Sequence, residues 1–277
     1  MEFTSTQQER LWELGVSEEV VKEEFTEATQ RNEAFKRLEK QQVSLGKARL
    51  QNLRETSRKP ALCVLQETLT GALTQAGFVQ VVTPLILAKQ HLRKMSIDEE
   101  HPLNQQVFWL DNHHCLRPML APNLYYISKD LLNIWQEPVR IFEVGSCFRK
   151  ESQGSRHLAE FTMLNLVEWG TPFEHREARI AELAALVMQS AGMEDYALET
   201  EDSVVYGSTL DVVCDGLEVG SSSQGPHPLD PAWGITTTWV GIGFGLERIL
   251  LAKEKPNTIR AVGRSLTYLD GVRLNIK

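Results

Sequence analysis

The chain has 277 residues, 42% of them hydrophobic and 24% charged, with a net charge of −8; this is enough for one large core plus an appendage. The acidic balance argues against a general nucleic-acid coat but permits a local basic patch. Four cysteines without CxxC spacing read as reduced thiols of a cytoplasmic protein, and seven histidines without an HExxH set aside a zinc hydrolase. No apolar run approaches the roughly 18 residues that span a membrane, and the polar start has no signal-peptide core.

Residues 1–56 form a polar, helical extension, and residues 57–277 the main domain. Thr6-Gln7-Gln8-Glu9 fits a capping box, and Val21, Phe25, Ala28 and Phe35 continue a sparse helical stripe through Ser17 to Glu39. Between Arg31 and Lys59 nine basic residues stand against three acidic ones, either a solvated face or a nucleic-acid contact. A helix follows Lys59-Pro60, with Leu62, Leu65, Leu69, Ala72 and Ala76 on one face and Gly77 as its stop. Phe78 to Thr83 reads as a strand ended by Pro84; helix, strand and proline suit ordinary packing or a dimer seam. Short strands flank the turn Asn112-His113-His114, and a helix begins after Pro122. His175 to Ala191 is amphipathic and closed by Gly192. Short strands are expected at Val204 to Tyr206, Thr209 to Cys214 and Leu217 to Val219. The class is α+β, an antiparallel sheet flanked by helices.

Two stretches carry the chemistry. Ile141 to Trp169 reads as a long antiparallel hairpin, two apolar runs joined by a polar turn at Ser152 to Arg156. Arg149 and Glu151 share one face of its first strand. They suit an internal ion pair or a phosphate clamp, since a guanidinium fork matches phosphate oxygens. On the return, Phe161, Met163, Asn165 and Val167 share a face. That row makes a poor core layer, because Asn165 needs a partner, but a good pocket floor. Further on, Gly241, Gly243 and Gly245 precede Leu246-Glu247-Arg248 and a helix. The spacing is not the dinucleotide fingerprint. The glycines suit helix packing or a flat ligand lying against bare backbone.

Together, the proline-ended strand, the Arg-x-Glu hairpin with an aromatic on its return, and the Gly-x-Gly-x-Gly-Leu-Glu-Arg block resemble the three motifs of class II aminoacyl-tRNA synthetases. LRPMLAPNLY (Leu116 to Tyr125), CFRKES with HLxEFTMLN (Cys147 to Asn165), VYGSTLDV (Val205 to Val212) and GFGLER are similar to pyrrolysyl-tRNA synthetases. The ending SLTYLDGVRLNIK resembles the separate bacterial catalytic subunit of that family. The resemblance runs from about Ser57 to Lys277. It implies ATP bent on the sheet, with Arg149 on the α-phosphate, Phe161 and Arg248 sandwiching adenine, Glu151 and Leu158 nearby, and His157 toward the γ-phosphate. Glu218 and Ser221 would hold Mg2+, a hard ion suited to oxygen ligands. A strand-edge carboxylate is the plainer role for Glu218. Leu124, Tyr125, Met163, Val167, Trp239 and Ile242 would line the amino-acid pocket, Asn165 would bond the substrate's side-chain amide, and Tyr206 would close from a mobile hairpin. Free lysine would be rejected, its ammonium buried without a partner.

The sequence departs from that family at the pocket. Ser128 replaces a larger residue, Ser222-Ser223-Gln224 replaces small apolar ones, Ile242 stands where Ala is frequent, and Ala159 where an acid is common. The expected partners are a cognate tRNA, a second copy in a homodimer, and a separate tRNA-binding protein supplying what is an N-terminal module in fused archaeal relatives. The basic segment 31–59 and Lys253, Lys255, Arg260, Arg264 and Arg273 are expected to touch the tRNA. Two other activities remain open on this fold: a tRNA-independent ligase joining an adenylated acid to an amine, and a non-catalytic regulatory relative.

Overall fold

The computed structural model describes residues 1–150, 157–203 and 205–276. Helices α1 (Ser5–Glu13), α2 (Glu18–Val21) and α3 (Ala28–Asn52) form the N-terminal extension. The capping box lies two residues upstream of the expected one. Thr4 is extended and accepts from the Gln7 N–H, while the Gln7 side chain accepts from the Thr4 N–H; Thr6 is already inside the helix. The expected stripe from Ser17 to Glu39 is broken between Val21 and Ala28. Phe25 serves another purpose there: its N–H donates to the Met1 carbonyl and its ring meets Phe3 edge-on at 4.8 Å. Phe3, Leu11, Val16, Val21 and Ala34 make a small core of their own. Asn257 donates to the carbonyls of Trp12 and Val16, and Arg273 pairs with Glu13 at 2.9 Å, so the extension is fastened to the C-terminal segment.

The main body begins with α4 (Ala61–Gln75), stopped where Gly77 takes φ +87°, a left-handed value open to glycine. Then follow β1 (Val79–Gln80), β2 (Ile86–Ala88), α5 (Lys89–Lys94), α6 (Pro102–Gln105), β3 (His114–Leu116) and α7 (Ala121–Ile134). The long hairpin is β4 (Val139–Phe148) and β5 (Glu160–Trp169), paired throughout; its turn, with Glu151, lies outside the described residues. After α8 (Arg176–Ser190) come β6 (Ala197–Ser203), β7 (Gly207–Cys214), β8 (Leu217–Gly225), α9 (Asp230–Trp233), β9 (Trp239–Gly245), α10 (Leu246–Glu254), β10 (Tyr268–Leu269) and β11 (Val272–Arg273). The main sheet runs β1-β4-β5-β9-β8-β7-β6. It is mixed, because β1 pairs parallel to β4 while its other pairings are antiparallel. Three expectations need adjusting. The strand at Phe78 to Thr83 is two residues long, the strand expected at Val204 to Tyr206 gives way to a turn at Val205 and Tyr206, and β8 continues six residues past Val219 to Gly225.

Period-two alternation divides the sheet into two faces. Leu164, Leu166, Val240, Ile242 and Phe244 pack with Leu69, Leu73, Leu183 and Val187 in the principal core under α4, α8 and α10. The other face carries a second cluster around Tyr125, Trp169, Trp233 and Trp239, and it opens into a cavity.

Glu168 ties the hairpin to α8. Its carboxylate accepts from Arg140 at 2.6 Å, Arg179 at 2.8 Å and the Thr171 hydroxyl at 3.1 Å. Burial pushes its pKa up, but the hydrogen bonds from Arg179 and Arg140 outweigh burial and hold it below 4.5. A depressed folded value means the stabilisation is present above 4.5 and is lost as pH falls through the folded value. Glu168→Gln should therefore show a smaller drop in Tm between about pH 6 and about pH 3 than the native protein. Equal drops in the two proteins would refute this source of acid sensitivity.

Candidate active site

The cavity floor is built by register. Asn165 and Ser221 flank Gly243 from either side, and Val167 and Ser223 likewise flank Gly241. The glycines of β9 therefore form a bare strip between two walls of side chains. A Cβ at Gly243 would come within 3.3 Å of Met163 Cε, so even alanine would crowd the floor. The cavity volume is about 720 Å³, of the size that takes a bound small molecule.

At one end stand the residues expected for a nucleotide. Arg149, His157, Leu158, Phe161, Glu218, Ser221 and Arg248 all line the cavity. Arg149 is restrained by its Nε donating to the Pro118 carbonyl at 2.9 Å, and its guanidinium lies 5.4 Å from the Phe161 ring centre. Arg248, in the first turn of α10, is 3.3 Å from the Glu218 carboxylate and donates to the Glu218 carbonyl at 3.2 Å. Glu218 and Ser221 are three residues apart, a spacing that places side chains on opposite faces of a regular strand. A bulge in β8 opposite Val212 and Val213, with Val219 as the extra residue, brings both to the cavity, Glu218 opposite Val213 and Ser221 opposite Asp211. The pair fits Mg2+, which needs one or two protein oxygens and takes the rest from phosphate and water. Asp211, which the sequence did not single out, accepts from the Ser221 hydroxyl at 2.6 Å and orients it. Behind Phe161, Glu247 is nine-tenths or more buried and accepts from the Thr162 N–H and hydroxyl; burial raises its pKa.

The other end is apolar and aromatic. Leu124, Tyr125, Met163, Asn165, Val167, Tyr206, Ser223 and Trp239 line it as expected. Asn165 donates from Nδ2 to the Ile242 carbonyl at 2.9 Å, which fixes the orientation of its amide. Ile242 itself needs correcting: it lies on the opposite face, in the principal core between Val240 and Phe244. Ser128 also falls outside the cavity wall. It is fully buried on α7, and its short side chain does not reach the cavity as those of Leu124 and Tyr125 do. Tyr206 sits in the β6–β7 turn, packed against this cluster, where its ring meets His227 edge-on at 5.4 Å. Burial, followed by the nearby Asp230, raises its pKa.

Two residues here escaped the sequence reading. His227 Nδ1 accepts from the Leu229 N–H, so Nε2 carries the proton and donates to the Tyr206 carbonyl at 3.0 Å. Asp230 is buried and accepts from the Tyr125 hydroxyl, the Trp239 indole and the His227 N–H. In sequence Asp230-Pro231 resembles a surface helix start, and only the three donors show it to be a buttress. Most of the C-terminal cations have partners within the chain. Lys253 bonds the Ala191 carbonyl, Lys255 pairs with Asp215, Arg264 with Glu160 and Glu247, and Arg273 with Glu13, while Arg260 is exposed and, like Lys253, has no described ion pair.

Comparison with known proteins gives a consistent neighbourhood. The family described as "Phenylalanyl tRNA synthetase beta chain CLM domain" matches residues 48–224. A crystal structure of pyrrolysyl-tRNA synthetase from Desulfitobacterium hafniense superposes with TM-score 0.95 and 52% identity, covering 100% of this chain and 99% of that one. A second structure of a pyrrolysyl-tRNA synthetase from that organism gives 0.92 and 51%, covering 99% and 95%. A histidine–tRNA ligase of Bartonella henselae is 28% identical over 188 residues, 65% of this chain and 36% of the relative. An elongation factor P–(R)-β-lysine ligase of Haemophilus influenzae is 32% identical over 122 residues, 42% of this chain and 33% of the relative. The chain thus spans about a third of the length of these two curated relatives.

Proposed function

Since the chain belongs to the pyrrolysyl-tRNA synthetase family, within class II of the aminoacyl-tRNA synthetases, we propose that it activates pyrrolysine, a long acylated lysine, with ATP and passes it to the 3′ end of a cognate tRNA. The observation that carries this reading is one cavity lined by Arg149 and Arg248 at one end and by an apolar, amide-bearing wall at the other. A carboxylate oxygen of the amino acid attacks the α-phosphorus, and the bond to the bridging oxygen of pyrophosphate breaks. The tRNA ribose hydroxyl then takes the acyl group and AMP leaves. Arg149 binds the α-phosphate and stabilises charge that builds in the transition state. Phe161 and Arg248 hold adenine, with Leu158 and His157 around the nucleotide. Mg2+, held by Glu218 and Ser221, neutralises phosphate charge when bound.

Asn165 selects the side chain: its amide meets the substrate amide inside an apolar wall, where the ammonium of free lysine would find no counter-charge. Tyr206, steadied by His227, shields that end from water. The test is ATP–pyrophosphate exchange with pyrrolysine, an acylated lysine and lysine, with and without Mg2+. Exchange is expected with the first two and not with lysine, and Asn165→Ala should lower kcat/KM for acylated lysine by about tenfold or more. No exchange from folded protein that still binds ATP would sink the reading. Exchange followed by transfer to an amine, and not to tRNA, would favour the ligase.

For the tRNA, Lys36, Arg37, Lys40, Lys47, Arg54 and Arg58 are exposed and make no ion pair with a described residue, which supports a phosphate-contacting role for α3 and the turn after it. Homodimerisation is supported by Val79, Val82, Leu85 and Ile86, which expose apolar surface around Pro84, Val82 at 88%. The separate tRNA-binding protein remains the expected third partner. A cytoplasmic setting suits four unpaired thiols, with burial raising Cys115 to about 11 and Cys147 to about 12. No helix among the described residues is long and apolar enough to cross a membrane.

A further inference from the structure

The two residues read as holding adenine are joined behind the cavity by their sequence neighbours. Phe161 lines the cavity, while Thr162, the next residue of β5, points to the other face and is 0% exposed. Arg248 also lines the cavity, and Glu247, just before it in α10, is buried. The Glu247 carboxylate accepts from the Thr162 N–H with both oxygens, at 2.9 and 2.8 Å, and from the Thr162 hydroxyl at 2.9 Å. The strand that carries the ring is thereby bonded to the helix that carries the guanidinium.

A third residue completes this link. Arg264, in the segment after α10, donates from Nη1 to the Thr162 hydroxyl oxygen, which in turn donates to Glu247. The same Nη1 lies 3.7 Å from the Glu247 carboxylate, and Arg264 Nε lies 3.5 Å from Glu160. A buried carboxylate needs a counter-charge, and Arg264 brings one to Glu247. The backbone beside it is closely fitted. A Cβ on Gly263 would come within 2.6 Å of Leu158 Cδ1 and 3.3 Å of Glu247 Cγ, and Leu158 lines the nucleotide end. Arg264, expected from its charge to meet tRNA, is thus turned onto the support of the nucleotide site.

We propose that Arg264 is a positioning residue for the nucleotide: through Thr162 and Glu247 it sets the separation between the Phe161 ring and the Arg248 guanidinium, and so the fit of adenine between them. This rests on Phe161 and Arg248 holding adenine. A stacking gap responds to small displacements, because widening by about 0.5–1 Å forfeits a quarter to a half of the contact energy. The link needs no tRNA, so its loss shows in the activation step alone.

The test uses the full chain in ATP–pyrophosphate exchange with an acylated lysine and no tRNA. Arg264→Met, which keeps the aliphatic bulk, should raise KM for ATP by about tenfold, the effect of a lost charge-assisted hydrogen bond. Its kcat should stay within about twofold and its KM for the amino acid should not change. AMP should inhibit the variant about tenfold less well than the native protein, whereas inorganic tripolyphosphate, with no base to stack, should inhibit both equally. Arg264→Lys keeps the charge without the planar fork and should fall between. Thr162→Val removes the hydroxyl and should raise KM for ATP likewise. The double variant Arg264→Met/Thr162→Val should do no more than the larger single change, since both break one chain of bonds. An unchanged KM for ATP in folded Arg264→Met, an equal loss for AMP and tripolyphosphate, or additive effects in the double variant overturns the proposal. So does an effect confined to KM for tRNA in aminoacylation, which would return Arg264 to tRNA contact. A native protein inhibited by tripolyphosphate but not by AMP would sink the adenine reading itself, and the proposal with it.

Discussion

Replacing Arg149 with alanine is expected to lower kcat for ATP–pyrophosphate exchange by about 10³-fold, with a much smaller change in KM for the amino acid. The argument starts from how the residue is held. It stands one position past β4; its backbone N–H donates to Ala159 at 3.0 Å, its Nε to Pro118 at 2.9 Å, and its guanidinium faces Phe161. These restraints fix a cation at the nucleotide end before substrate arrives, so little reorganisation remains when charge develops on the α-phosphate. The surroundings make that cation matter more, because Glu199, Glu201, Asp202, Asp211 and Glu218 also line the cavity. With Arg149 gone, the cavity keeps those carboxylates and, among the described residues, Arg248 as the arginine of the lining. Arg149→Lys keeps the charge but loses the planar fork, and should fall between native and alanine. If Arg149→Ala raised KM for ATP and left kcat unchanged, the residue would be a ground-state binder and its transition-state role would be wrong.

The parts of this site that were legible in sequence are those governed by parity along a strand. Phe161, Met163, Asn165 and Val167 alternate with Leu164 and Leu166, and the structure puts the first set on the cavity and the second in the core. The same parity argued against Ile242 as a pocket residue, because it sits between Gly241 and Gly243 and must point the other way. The resemblance to a family had suggested otherwise, and strand geometry prevailed. Glu218 and Ser221 are the reverse case: regular alternation separates them, and a bulge invisible in the residue pattern reunites them. The aromatic nest was illegible for a different reason. Tyr125, Trp169, Trp233 and Trp239 come from α7, β5, α9 and β9, so their contacts are products of tertiary packing that no local window contains. Asp230 and His227 belong to the same class. The long α3 was legible from composition, but the loop before it was not, because Phe25 exchanges a place in the helical stripe for contact with Phe3.

Glu143→Ala is expected to cost about 3–5 kcal/mol of folding stability in urea unfolding, the range for breaking a buried ion pair from one side. Glu143 is 1% exposed and Arg117 2%, and their charged groups meet at 2.7 Å. The pair sits in a closed network. Glu143 also accepts from the Thr83 N–H at 3.1 Å and the Thr83 hydroxyl at 2.6 Å, while Arg117 donates to the carbonyls of Ser146 and Thr83. Asn123 completes it through Thr83 and the Pro84 carbonyl. Gly145 leaves the room: a Cβ there would collide with the Arg117 guanidinium. Removing Glu143 therefore strands a buried cation and two Thr83 donors together. Glu143→Gln keeps acceptor capacity for Thr83 but not the counter-charge, so its loss should be smaller. The network also bears on catalysis. The Arg117 carbonyl accepts from Phe148, and the neighbouring Pro118 carbonyl holds Arg149. A folded Glu143→Gln protein should accordingly lose exchange activity in kcat while its affinity for the amino acid changes little. The double variant Arg117→Met/Glu143→Leu separates the two roles. It should recover most of the stability, since an apolar pair of similar volume replaces a buried salt bridge at little cost, yet it should not recover kcat if the charged network is what places Arg149. Full recovery of both would reduce the network to packing, and loss below about 1 kcal/mol in Glu143→Ala would mean that water reaches the pair.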